Sequence, residues 1–221
     1  MAKDLVIFGL GDIGQLAHFY FENDSDYKVA GFTVDRDYLQ DAEFCGLPVV
    51  AFEDVAEWFP SSNYDLFIAL SYAKLNELRE EKYLAAKALG YHTPSYISSH
   101  ATVLNEGRIG ENCFILEDNT IQPFVTIGNN VVLWSGNHIG HHSTIQDHCF
   151  LASHIVVSGG VTIEESCFIG VNVTLRDHIT VGRKCLLGAG TILLEDAAPE
   201  GLYKVSTSER ARIPSTKLKR I

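Results

Sequence analysis

From Val103 to Leu193 a branched aliphatic residue returns at every sixth position: Val103, Ile109, Ile115, Ile121, Ile127, Leu133, Ile139, Ile145, Leu151, Val157, Ile163, Ile169, Leu175, Val181, Leu187 and Leu193. Neither an α-helix, with its period of 3.6, nor a flat strand, with its period of 2, sustains a six-residue register over that length. Four positions beyond the aliphatic residue the side chain is mostly small or β-branched, as at Cys113, Val125, Ser143, Cys149, Val161, Cys167, Cys185 and Thr191. Gly110, Gly128, Gly140, Gly170, Gly182 and Gly188 directly follow the aliphatic residue, where a tight corner is expected to need a missing Cβ. A prism with three flat faces satisfies the pattern. Each hexad supplies one short strand and one corner, and three hexads complete a coil. The inward residues then stack on their equivalents about 4.8 Å along the axis. Cys113, Cys149, Cys167 and Cys185 fall in one inward column, which makes them small buried hydrophobes rather than disulfide or redox groups.

The first hundred or so residues follow other rules. Asp4–Gly9 reads as a short buried strand, and Gly9-Leu10-Gly11-Asp12-Ile13-Gly14 leads into helical spacing over Gln15–Asn23. Lys28–Thr33 and Tyr64–Leu70 read as further strands, and Leu75–Leu89 as an amphipathic helix closing at Gly90. These elements predict a small α/β domain with a short parallel sheet. A G-x-G-x-x-G turn between a strand and a helix is the setting in which backbone amides and a helix N-terminus hold a phosphate. Gly11 and Asp12 lie in that turn. Asp35, at the end of the second strand, is expected to meet a ribose or base, and Ser71, Asn76 and Arg79 to complete the pocket. A full dinucleotide fold would imply an NAD oxidoreductase. This region lacks a second half, so a sugar nucleotide fits better.

The formal net charge of −11 argues against a nucleic-acid partner, since an acidic surface repels phosphate backbones. No apolar run reaches the roughly 18 residues needed to cross a bilayer, and the N-terminus has no signal-peptide pattern, so a cytoplasmic location is expected. Basic residues gather at the C-terminus (Arg210, Arg212, Lys217, Lys219, Arg220), either as a solvated end or as neighbours for anionic cofactor groups.

A hexapeptide repeat behind a glycine-rich α/β domain resembles the left-handed parallel β-helix acyltransferases. It resembles more closely the nucleotide-sugar N-acetyltransferases related to the sialic-acid O-acetyltransferase group. The resemblance spans the chain and implies an α/β nucleotide-sugar-binding domain (1–98), a left-handed β-helix acyltransferase domain (99–198) and a C-terminal tail (199–221). It also implies a homotrimer that binds acetyl-CoA between adjacent β-helices and acetylates the amino group of a nucleotide-linked, dideoxy-type amino sugar for glycan or lipopolysaccharide synthesis. Acetylation of a sugar hydroxyl, or nucleotide-sugar binding without catalysis, are the alternatives.

Five of the nine histidines, His138, His141, His142, His148 and His154, are concentrated in one stretch. The register puts His141 and His142 on the corner after Ile139 and His148 and His154 on later corners, so all four are expected to point outward. An amine attacking a thioester must lose a proton, and an imidazole with a pKa near 6.5 takes it at neutral pH. The resemblance assigns that general base to His141. It has an acidic residue next to the base where this chain has His142, and an acetyl-contacting histidine where this chain has Phe150. His138 and His154 are the candidate substitutes. The resemblance further aligns Gly159, Val171 and Ala189 with the pantetheine groove, with Gly160, Gly170 and Gly188 allowing close approach. Asn172, a polar residue in an apolar stretch, is a candidate contact for the thioester arm. A backbone N–H of the Ser158-Gly159-Gly160 turn is a candidate oxyanion donor. No metal is expected. A shared zinc site, as in γ-class carbonic anhydrases, fits poorly with the tight spacing of His138, His141 and His142.

Overall fold

In the computed structural model, which describes residues 4–206, 208, 210 and 214–217, β1 (Asp4–Phe8) is buried on both faces. Leu5 and Ile7 pack with Phe21, Phe32 and Phe67, whereas Val6 and Phe8 pack with Val50, Leu66, Ile68 and Tyr83. That two-sided burial belongs to a central parallel strand. Beside β1 lie β2 (Val29–Val34) and β5 (Tyr64–Ile68), both parallel to it. The sheet continues past β2 to β4 (Leu47–Ala51) and the short antiparallel β3 (Glu43–Phe44), in the order β3-β4-β2-β1-β5. Neither β3 nor β4 is evident in the sequence pattern, because the Cys45-Gly46 turn and Pro48 interrupt the apolar run. Helices α1 (Asp12–Asn23), α2 (Val55–Trp58) and α3 (Glu77–Ala88) flank the sheet. Of the basic C-terminal residues, Arg212, Lys219 and Arg220 lie outside the described residues.

Two-residue strands then form three parallel sheets, the faces of a left-handed β-helix. Paired residues stand eighteen apart, as in Leu133 with Leu151 and Ile145 with Ile163, except in the last coil, where Leu186 pairs with Leu202. The stack reaches beyond the aliphatic register at both ends, from Tyr96–Ile97 to Leu202–Tyr203. Ile121, Leu133, Ile145, Leu151 and Ile163 are fully buried, and so are all four cysteines of the inward column.

The corners differ from expectation in one respect. The left-handed residue is the third after the aliphatic one, filled by Asn112, Asn130, His142, His148, His154, Asn172 and His178 among others. The glycines that directly follow the aliphatic residues have ordinary φ. They are needed because coils approach too closely for a side chain: a Cβ on Gly140 would stand 2.6 Å from the carbonyl carbon of Ser158 in the next coil.

One prism face, carrying Phe114, Val132, Phe150 and Phe168, is covered by the α/β domain. At the adjacent edge the corner carbonyls of Asn130, His148 and Ser166 have no ladder partner, and a buried unpaired carbonyl is costly. The Arg79 guanidinium, 1% exposed, donates to the carbonyls of Asn130 and His148, the latter at 3.0 Å. The Asn76 amide donates to the carbonyls of Ser166 and Cys167 at 3.4 and 3.2 Å. Burial pulls the Arg79 guanidinium down to about 10, still charged at neutral pH. Asn76 and Arg79 are therefore not open to a nucleotide, contrary to expectation; they tie α3 to the prism. His148 is also displaced from its expected role. It is 8% exposed, with Nδ1 2.9 Å from the Asn130 amide nitrogen and its ring against Tyr83. The segment before α3 is not helical: Lys74, Leu75 and Asn76 have φ of 50°, 53° and 69°, a strained run that persists where surrounding contacts over-determine it.

A second tie joins α1 to the start of the prism. The hydroxyl and backbone N–H of Ser99, with the Tyr96 hydroxyl, hold the Asp24 carboxyl down at about 2.

Arg79→Met leaves two buried carbonyls bare and is expected to cost about 3 kcal/mol, read from the urea unfolding midpoint. The Asp24 contribution is present above the unfolded carboxyl value near 4 and is lost as pH falls through about 2. Asp24→Asn should therefore unfold more easily than the parent at pH 6, with the gap closing towards pH 2.

Candidate active site

Three edges run the length of the prism, and they separate the candidate residues. The first edge, between the face bearing His138 and the face bearing Thr144, carries His141, His142, Gly159, Gly160 and His178. The third edge, between the Phe150 face and the Val156 face, carries Ser153, His154, Val171, Asn172 and Ala189. Consequently the groove expected along Gly159, Val171 and Ala189 is not continuous within one chain: a whole face intervenes between Gly159–Gly160 and the other two.

At the first edge His141 is exposed, and its environment is specific. Its backbone N–H donates to Gln122 Oε1 at 2.8 Å, and its ring lies over the backbone of the next coil. A Cβ on Gly159 would stand 2.6 Å from His141 Cε1 and 2.8 Å from Nε2, so glycine is what lets the imidazole seat there. His141 Nδ1 is 3.1 Å from His142 Nδ1, and the two rings meet edge to face. His142 in turn packs on Phe124, with centroids 4.7 Å apart. Among the described residues no hydrogen bond engages His141 Nε2, which leaves that nitrogen for a ligand. His138 is half-buried on the neighbouring flat face, between Thr120 and Val156. His154 is exposed on the third edge, above Gly136, remote from His141 in the same chain.

The glycine-rich turn forms a separate cavity of about 350 Å³. Gly9, Gly11, Asp35 and Tyr38 line it with Phe8, Leu10, Val34, Leu70 and Leu78. Gly14 packs against the carbonyl of Gly9, too close for any side chain, which draws the start of α1 onto the turn. The Gly11 N-cap offers no side-chain hydrogen bond, so the first-turn amides of α1 are open to an anion. Asp12 is exposed at that helix start, and Ser71 is exposed beyond β5; neither lines the cavity. The Asp35 carboxylate is 2.7 Å from Lys82 Nζ, so a cation borders the same space.

Between this turn and the prism lies a second cavity of about 350 Å³. Ile13, Tyr72, Trp134, Phe150 and Phe168 make its apolar wall, and Ser153, Val171 and Ala189 its edge on the prism. Tyr72 packs on Phe150 and Phe168, at centroid distances of 5.0 and 4.6 Å. Phe150 thus forms part of a hydrocarbon wall where a polar acetyl contact was sought. This aromatic lining escaped the sequence reading, although Phe114, Phe150 and Phe168 recur in one outward column just before the inward residue. Tyr72 carries no such signal, because the strained turn before α3 holds it.

Among the described residues, no group of three or more His, Cys, Asp or Glu is arranged to hold a metal ion. No helix there is long and apolar enough to cross a membrane.

A family model described as the GMPPB C-terminal domain matches residues 91–193, the β-helical part. Comparison with the curated proteins finds no match. Several solved structures share the whole architecture. Perosamine N-acetyltransferase from Caulobacter crescentus, as a histidine-to-asparagine variant with CoA and GDP-perosamine, superposes with a TM-score of 0.81 at 22% identity, covering 91% of this chain and 93% of that one. WeeI from Acinetobacter baumannii AYE gives 0.77 at 18% identity, covering 91% and 96%. The acetyltransferase domain of PglB from Neisseria gonorrhoeae FA1090, bound to acetyl coenzyme A, gives 0.59 at 21% identity, covering 91% and 96%. At these identities the likeness is one of fold: an α/β domain with a short parallel sheet ahead of a left-handed parallel β-helix.

Gly159→Ala is expected to push the His141 ring off its seat without unfolding the chain. The check is displaced His141 imidazole resonances in a protein whose circular dichroism is unchanged.

Proposed function

We propose that the chain is an acetyl-CoA-dependent N-acetyltransferase acting on the amino group of a nucleotide-linked amino sugar, by direct transfer with His141 as general base. The observation that carries this reading is the His141 imidazole, seated over Gly159 on a rigid edge with Nε2 free. A preorganised, accessible base of this kind serves proton abstraction and has no use in a scaffold. The open amides at the start of α1 suit the diphosphate of a sugar nucleotide. The similar folds crystallised with CoA and GDP-perosamine, or with acetyl coenzyme A, agree with both halves of the reaction.

Within one chain the glycine-rich turn and His141 lie on opposite sides of the prism, because the α/β domain covers the Phe150 face and the first edge is opposite that face. A homotrimer resolves this. The first edge of one subunit, with His141, Gly159 and Gly160, then faces the third edge of the next, with Val171, Asn172 and Ala189. Acetyl-CoA would lie in that cleft, and the sugar would reach it from the glycine-rich turn through the aromatic cavity. Corner backbone at Gly159–Gly160 and Val171 suits the amides of an extended pantetheine arm, and an N–H of the Ser158–Gly160 turn the developing oxyanion. As the amine nitrogen bonds to the acetyl carbonyl carbon, Nε2 of His141 takes the proton the amine sheds. The carbon–sulfur bond then breaks, and the departing thiolate receives a proton from His141. The cytoplasm, where acetyl-CoA and sugar nucleotides are available, is the proposed location.

A panel of GDP-, UDP- and dTDP-linked amino sugars offered with acetyl-CoA, followed by release of free thiol, should identify the acceptor. His141→Asn is expected to keep the oligomer mass in light scattering and to lose about a hundredfold to ten-thousandfold in kcat. Turnover at the parent rate in that variant would refute the base.

A further inference from the structure

His141 and His142 approach each other through the same ring nitrogen, and this restricts where their protons lie. A neutral imidazole has one N–H and one lone pair. Two Nδ1 atoms 3.1 Å apart bond only if one carries hydrogen and the other does not. When His142 donates, the lone pair of His141 is spent on the contact and its hydrogen sits on Nε2, the face open to a ligand. When His141 donates, Nε2 keeps its lone pair and is ready to accept a proton.

We propose that His142 is the positioning residue of the site: its Nδ1 lone pair accepts the Nδ1–H of His141, fixing His141 in the tautomer whose Nε2 is the base. The inference rests on the base role given to His141 above. Among the described residues, the contact with His142 is the one hydrogen bond to the His141 ring. Gln122 Oε1 is engaged by the backbone N–H of His141, and Phe124, on the far side of His142, has no acceptor. The backbone fixes His142 as well, since it occupies the left-handed corner position at φ 60° and its N–H bonds the Pro123 carbonyl. A neutral acceptor has a chemical consequence. Once Nε2 of His141 is protonated, the imidazolium still donates through Nδ1 to a lone pair, so proton uptake breaks no bond. The contact does the work usually given to a carboxylate beside a histidine, without adding a negative charge next to an incoming anionic cofactor.

Two substitutions separate this role from mere packing. His142→Asn retains an acceptor oxygen, and asparagine tolerates the left-handed backbone. His142→Phe keeps the ring but removes the acceptor; the corner accepts phenylalanine, since Phe124 holds the equivalent position one coil earlier at φ 66°. Nitrogen-15 correlation spectra of histidine-labelled protein, recorded above the imidazole titration range without substrates, report which nitrogen of His141 bears hydrogen. The expected parent result is a protonated Nδ1 and a bare Nε2 on His141, and the reverse on His142. His142→Asn should preserve the His141 tautomer and most of kcat. His142→Phe should release it to a tautomer mixture and lower kcat about tenfold to a hundredfold, with KM for the sugar nucleotide unchanged. Hydrogen on Nε2 of His141 in the parent, or a His142→Phe variant with the parent tautomer, would overturn the proposal. Because the spectra need no turnover, that failure is distinct from failure of the base assignment, which the activity of His141→Asn decides.

Discussion

In every coil of the prism but the last, residues paired with the neighbouring coil stand eighteen apart, and the other features of the molecule are built on that offset. It keeps the inward aliphatic residues stacked, and it places every edge residue directly beneath its counterpart in the next coil. Side chains on an edge are consequently held by the backbone of the neighbouring coil as well as by one another. His141 rests over Gly159, one coil on, and His178 over Gly160, one coil back. An imidazole mounted like this costs little further entropy to position.

The same periodicity creates a problem that the α/β domain solves. Left-handed corners turn some carbonyls away from the ladder, and at the edge between the Thr144 face and the Phe150 face those of Asn130, His148 and Ser166 lie under α3, out of reach of water. A guanidinium and an amide supply the missing donors. The arrangement buries a charge that, among the described residues, has no carboxylate partner and whose Nε makes no hydrogen bond. The full set of carbonyl acceptors around the rest of the guanidinium is what makes that tolerable. The joint also holds the strained Lys74–Asn76 turn, and through it Tyr72 on the aromatic wall. Docking of the two domains and the shape of the inner cavity are thus one structural event.

With the α/β domain on one face, the opposite edge is left free, and that edge carries the His141–His142 pair. The glycine-rich turn and the His141–His142 pair are therefore held apart within a chain.

The sequence alone determined the prism, its inward columns and the buried cysteines, because a six-residue period admits one geometry and the stacked neighbours follow from it. It also determined the glycine-rich turn, since a strand, the glycines and a helix are contiguous and local; Gly9, Gly11 and Asp35 do line one cavity. Even the seat of His141 was present as an offset of eighteen from Gly159. Only the tertiary structure decided which face the α/β domain covers. That choice buried Asn76 and Arg79, which the sequence pattern places beside a nucleotide pocket, and His148, which the register alone points outward. Periodicity states that a side chain points outward from the prism. Whether it then meets water or another domain depends on apolar complementarity between residues far apart in the chain, such as Phe114 and Phe150 against Phe67 and Tyr72, and no local pattern encodes that.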